Sequence, residues 1–280
     1  MSLEPPRSAA SDASTAATAS TPDESGGRAT TARFYDRHLG GGHAEEADIR
    51  AAEHIVEVMP ELPAVLKANL AFLQRSVRHL AGLGIQGFLD LGAGIPTIDN
   101  VHEIVHPAAT VYVDHDPLVV DERRILTNGT DRALSIRADL RDAHAVMTDP
   151  EVTRLLDPAG GRPIAVLMTS VLHFTTDDQQ AADLLAAYRG HLPPGSHLVL
   201  SHAAPKPGPD QGLREAVERY SRLVAPMKLR SAPELAALLD GFHLLDPGIV
   251  PCTHWRPDPG FVPGPLSEAL PQLALVARLD

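Results

Sequence analysis

The chain has 280 residues, 44% of them hydrophobic, and a formal net charge of -12. That length suits one large domain or two small ones, with enough apolar material for a sizeable core. So acidic a protein lacks the basic footprint of a nucleic-acid binder and is repelled by anionic membrane surfaces. An aromatic content of 4% also leaves few platforms on which bases would stack. The single cysteine, Cys252, excludes an internal disulfide and a clustered-cysteine metal site; it reads as a small hydrophobe late in a strand. No apolar run is long enough to span a membrane and no basic-then-apolar leader opens the chain, so a cytoplasmic location is expected.

Residues 1–30 are Ala, Ser, Thr and Pro with almost no large apolar side chain, a composition expected to stay disordered. Residues 31–84 read as an N-terminal helical cap. Within them Leu66, Leu70, Leu73, Val77 and Leu80 recur at steps of four and three, predicting one face of an amphipathic helix that stops near Gly82 and Gly84. Residues 85–280 then alternate. Short β-branched runs at 87–91, 110–115, 134–139, 164–170 and 197–202, most separated by helix-compatible segments, predict βαβ units in a parallel sheet. Ser231 with Glu234 three residues later forms a capping-box helix start. The last two runs, 242–252 and 273–279, are joined by a Pro-rich stretch without a crossover helix and predict an antiparallel hairpin. Five parallel strands and this hairpin make seven.

In an open parallel sheet, ligands sit beyond the carboxyl ends of the strands. The first strand ends in "FLDLGAGIPT" (88–97), where Gly92 and Gly94 flank Ala93 and let a ligand approach the backbone. A dinucleotide fingerprint wants a third glycine; Thr97 stands there, which disfavours a nicotinamide-dependent oxidoreductase. Asp90, two residues before Gly92, points toward the crevice. Asp114 ends the second strand with His115 beside it. It reads either as an acceptor for two ribose hydroxyls or as an ordinary turn aspartate; in the first case Asp116 is the turn residue. Asp139, after the third strand and next to Leu140, is positioned to accept from an adenine amine or to cap a helix.

Together these residues resemble a class I S-adenosylmethionine-dependent methyltransferase. More narrowly, "FLDLGAGIPTIDNVHE" (88–103), "VYVDHDP" (111–117) and "VLMTSVLHF" (166–174) resemble an actinobacterial family with a D-hydrophobic-G-x-G-x-P-T-x-x-N-V-H-E motif, over residues 32–280. The resemblance implies an α/β, Rossmann-like, seven-stranded methyltransferase sheet of order 3-2-1-4-5-7-6, its last strand antiparallel, with S-adenosylmethionine as cofactor. It places Gly92 and Gly94 at the methionine moiety, Asp114 at the ribose, Asp139 and Leu140 at the adenine, and Thr169 and Ser170 near the amino group and sulfonium. In the cap the chain keeps the family's Tyr35, Asp36, Leu39, Gly40 and Gly41, and departs from it at Gly42, where lysine is usual.

Methyl transfer is an in-line displacement that rewards placement of the acceptor and, for oxygen or nitrogen, often a base near neutral pKa. Among fourteen histidines, His173 after the fourth strand and His202 at the end of the fifth are the catalytic candidates, with Tyr35 in the cap. Asp36, His254 and Trp255 are candidates for substrate contact. "HEIVH" (102–106) matches a zinc-hydrolase pattern in form, but no third ligand is evident and no metal is expected. The leading function is methyl transfer to a small molecule in specialised metabolism. The alternative is a repurposed fold that performs a non-methylating reaction such as a cyclisation, or that only binds. A homo-oligomer is compatible with the sequence, which does not determine oligomeric state.

Overall fold

A computed structural model describes residues 28–280 except 207, 263, 265, 266, 268 and 269, so the expected tail lies almost wholly outside the described residues. Its last residues do not: Ala29 is buried, and Thr30 caps the first helix by accepting from the backbone N–H of Arg33. Helices α1 (Thr31–Leu39), α2 (Glu46–Val56) and α3 (Leu62–Gly82) come first. They are followed by β1 (Gly87–Leu91), α4 (Val101–Ile104), β2 (Ala109–Asp114), α5 (Pro117–Thr127) and β3 (Ala133–Arg137). Next are α6 (Ala143–Thr148), α7 (Pro150–Leu156), β4 (Ala165–Thr169), α8 (Asp178–His191) and β5 (His197–Ala203). The chain closes with α9 (Gln211–Leu223), α10 (Ala232–Ala237), β6 (Phe242–Leu244), β7 (Val250–Pro251) and β8 (Gln272–Leu279).

The sheet runs β3-β2-β1-β4-β5-β8-β6, with β7 also pairing β8. Strands β1 to β5 are mutually parallel, and β8 is antiparallel to β5, β6 and β7. The strand order agrees with the expected one, the seventh strand being β8. The count is one higher because 242–252 is two short strands. Pro247 has no N–H to give a ladder and Gly248 turns at φ +85°, so pairing breaks between them.

One face of the sheet packs Leu89, Leu91, Val111, Val113 and Met168 under α6, α7, α8 and α10. The other packs Phe88, Tyr112, Leu167 and Val199 under α3, together with Trp255. A third cluster joins α1 and α2 to α9 through Phe34, Ile55, Leu213 and Ala216. Helix α9, unremarked in the sequence, therefore completes the cap. Helix α3 buries Leu66, Val77 and Leu80 of the expected face, but that face is rotated toward Asn69, Phe72 and Ser76, which are buried while Leu70 and Leu73 are only half-buried. Among the described residues no helix is long and apolar enough to cross a membrane.

Candidate active site

The turn after β1 is held in shape from behind. Gly92 and Gly94 have φ of +69° and +65°, the left-handed region that glycine enters without penalty. A Cβ at Gly92 would lie 2.7 Å from Val171 and 3.8 Å from Leu140. A Cβ at Gly94 would meet nothing within 4 Å. The buried Arg123 of α5 donates to the carbonyls of Ala93 (2.6 Å) and Gly94 (2.9 Å) and to Asn100 Oδ1 (3.0 Å). Its guanidinium also stacks 4.2 Å over the Tyr112 ring. The turn's amides are bonded as well: Gly92 and Ala93 donate to the Val113 carbonyl (2.8 and 3.2 Å) and Gly94 to Asp114.

Thr97, Asn100 and Glu103 form a second brace. Asn100 accepts from the Thr97 N–H (3.3 Å) and donates to its carbonyl (2.7 Å), while Glu103 accepts from the Asn100 N–H (2.7 Å) in a capping box. Thr97 is thus committed to this brace. The zinc-like pattern has the same local explanation. Helix α4 ends at Ile104, before His106, and the Tyr112 hydroxyl sits 2.7 Å from His102 Nδ1.

Three carboxylates mark the strand tips. Asp90 is 3% exposed; burial, opposed by Arg123 and helped by Asp114, pushes its carboxyl up to about 6. Asp114 accepts the Gly94 N–H at 3.1 Å on one oxygen and the Asp116 N–H at 3.0 Å on the other. Each oxygen keeps a lone pair for a ligand hydroxyl. Asp116, the expected turn residue, caps α5. His115 is exposed, its Nδ1 3.5 Å from Asp114 Oδ1. Asp139 is gripped by Arg141, whose Nη2 lies 2.5 Å away, and Arg141 holds its carboxyl below the usual range. Leu140 is half-buried and its carbonyl accepts from Tyr188.

The candidate bases are placed differently from what the sequence suggested. His202 is fully buried. Its Nδ1 donates to the Ala203 carbonyl (2.7 Å) and its Nε2 accepts from Arg230 (3.0 Å). Burial pushes it down to about 4, so neither nitrogen is left for a substrate proton. His173 is also buried, edge-on to Phe174 at 4.3 Å, with Nδ1 lacking a protein partner. Burial, then His202 and Arg230, hold it well below the ordinary histidine range, far from the neutral pKa a base needs. Tyr35 accepts from Asn69 (2.7 Å) and donates to the Leu66 carbonyl (3.2 Å); burial raises its pKa.

The substrate-contact candidates also separate. Trp255 has no exposure and packs edge-on against Phe72 at 5.5 Å. It belongs to the core, because Arg75 ties its carbonyl and that of Cys252 to α3. His254 remains half-buried near the Thr253 hydroxyl (3.0 Å). Asp36 turns inward onto its own loop, accepting the His43 N–H (3.0 Å) with His43 Nδ1 at 3.3 Å. A Cβ on Gly41 would come within 1.9 Å of that carboxylate, so the loop closes on Asp36 only with glycine there. Thr169 and Ser170 stand half-buried at the β4 tip, Ser170 at φ +54°. Sequence reasoning missed Arg123, Val171, Ser201 and Gln272. Val171 lies within the quoted stretch 166–174 but was not singled out there, and Arg123, Ser201 and Gln272 reach the site only through the tertiary fold.

Comparison with known proteins decides the family. A family model described as S-adenosyl methyltransferase matches residues 18–280. The chain belongs to the S-adenosyl methyltransferase family. It is an S-adenosylmethionine-dependent methyltransferase, and the sheet order is that of the methyltransferase fold. A DUF574 family protein from Streptomyces avermitilis is 33% identical with TM-score 0.84, covering 90% of this chain and 98% of that one. A methyltransferase-like protein from Thermobifida fusca is 31% identical, also at TM-score 0.84, covering 90% and 96%. The N-methyltransferase NodS from Bradyrhizobium japonicum, in complex with S-adenosyl-L-homocysteine, shares the fold at 13% identity, TM-score 0.50, and coverage of 90% and 100%. No curated protein matches the chain.

Proposed function

We propose that this methyltransferase acts on an oxygen or nitrogen atom of a small molecule, in specialised metabolism, in a site roofed by α1, α3 and α9. The observation that carries this reading is the Asp114 carboxylate at the β2 tip, one backbone donor on each oxygen, beside a glycine turn where a Cβ at Gly94 would meet nothing within 4 Å. That acceptor beside an uncrowded backbone suits the ribose of S-adenosylmethionine. Asp114 would take the ribose hydroxyls on its remaining lone pairs. Leu140 and His115 would flank the adenine, and Asp139 would accept its amine in exchange for part of the Arg141 contact. Gly92, Ala93, Gly94, Thr169 and Ser170 would surround the methionine end, with Asp90 beneath them.

Bound there, the cofactor supplies an electrophilic methyl group. The chain supplies placement, which can contribute several kcal/mol, on the order of 7–11 in favourable cases. His173, His202 and Tyr35 are unsuited to strong base catalysis by their burial and existing bonds. The acceptor is therefore expected to reach the site already nucleophilic, as a neutral amine or an acidic hydroxyl, with His254 at the periphery as a candidate contact.

The test is incubation of wild type and Asp114→Ala with S-adenosylmethionine and fractionated small-molecule extracts. Expected are S-adenosylhomocysteine and a product heavier by one methyl group, both lost in the variant. A substrate consumed at unchanged mass, with S-adenosylmethionine intact, would establish the cyclase alternative instead.

A further inference from the structure

One buried chain of hydrogen bonds joins the cap to the tips of β4, β5 and β8. Asn69 of α3 donates from Nδ2 to the Tyr35 hydroxyl (2.7 Å) and accepts at Oδ1 from Ser201 Oγ. Ser201 Oγ accepts the Ser170 N–H (2.9 Å) and Gln272 Nε2 (3.3 Å). The same Gln272 nitrogen donates to Ser170 Oγ (2.8 Å). Asn69, Ser201 and Gln272 are all buried. Burying three polar side chains is costly unless each finds partners; here each does, through one another. The residue on which they converge is Ser170, at φ +54°, a conformation that side chains other than glycine, Asn and Asp seldom adopt. Strain of this kind persists only where surrounding bonds enforce it.

We propose that Asn69, Ser201 and Gln272 are positioning residues that hold Ser170 in its left-handed conformation, and that Tyr35 docking on Asn69 couples cap closure to the methionine end of the cofactor site. The inference rests on the placement of Ser170 beside that end. None of the three positioning residues touches the reacting atoms. Ser201 holds the Ser170 N–H, Gln272 its hydroxyl, and Asn69 acts through Ser201.

The test measures S-adenosylhomocysteine affinity by calorimetry and amide exchange of α1 with and without it. Gln272→Met keeps the side-chain length and removes both donated bonds; affinity should fall about tenfold, and ligand-induced protection of α1 should disappear. Adding Ser170→Gly to that variant should restore affinity, because glycine takes φ +54° freely, whereas adding Ser170→Ala should not. Ser201→Ala, a smaller change, should show the same pattern at roughly threefold if Gln272→Met does not fold. Affinity within about twofold of wild type in the folded variants, or equal rescue by alanine and glycine, would overturn the positioning role alone. Failure of wild type to bind at all would overturn the cofactor placement, and the inference with it.

Discussion

The β1–β2 side of the site is made by one short stretch of chain and one helix, whereas the β4–β5–β8 side is assembled from residues 35, 69, 170, 201 and 272. On the first side the glycine turn, the Asn100–Glu103 capping box and the Arg123 clamp lie within about three dozen positions of one another. They shape backbone amides, and most of their bonds survive any movement of the cap. On the second side the bonds join different elements: Ser201 of β5 and Gln272 of β8 reach Ser170, and Asn69 links Ser201 to Tyr35 of α1. The first side is thus local, and the second is assembled from distant segments.

The largest change should come from Trp255→Ala, which empties the core between α3 and the sheet and should cost about 3–5 kcal/mol in urea unfolding. A loss under roughly 1 kcal/mol would return Trp255 to the pocket and loosen the second side. Next, Asp90→Asn removes a buried carboxyl raised to about 6. A raised pKa gives stability that is complete below the unfolded value and is lost as pH rises through the folded one. The variant should therefore gain on wild type between about pH 4 and 6, by up to about 3 kcal/mol, while binding S-adenosylmethionine more weakly. His202, pushed down to about 4, works the other way, its stability being lost as pH falls from the usual histidine range. It is common to both proteins, so the difference between their unfolding curves reports Asp90 alone. A flat difference would rule out the raised carboxyl.

Arg123→Met leaves two turn carbonyls and Asn100 without their donor. It should cost about 1–3 kcal/mol of stability and weaken S-adenosylhomocysteine binding without altering amide exchange in α1. Loss of α1 protection would show that the two sides are one unit. The smallest effect is expected from Arg141→Ala, whose pairing with Asp139 is solvent-exposed; stability should shift by less than about 0.5 kcal/mol. Any gain in cofactor affinity would locate Asp139 at the adenine.

Much of the frame was legible because it is written in short-range pattern. The five parallel strands come from β-branched runs, the capping box at Ser231 from two residues three apart, and the glycine turn from its spacing. Less legible was any residue whose partner is distant. His202 looked like a base until Arg230, on another segment, occupied its Nε2. Trp255, in a Pro-rich stretch, looked like a substrate contact until α3 covered it.

By itself the sequence determined the strand order's local units, the glycine turn and the carboxylates at its rim, since dihedral preference and hydrophobic period act over a few residues. The tertiary structure alone decided that Asn69, Phe72 and Ser76 join the buried face of α3, that α9 joins the cap, and that Ser170 and Gln272 are linked through Ser201 to Asn69. Those outcomes depend on which polar groups must satisfy one another once water is excluded, a condition that only the assembled interior imposes.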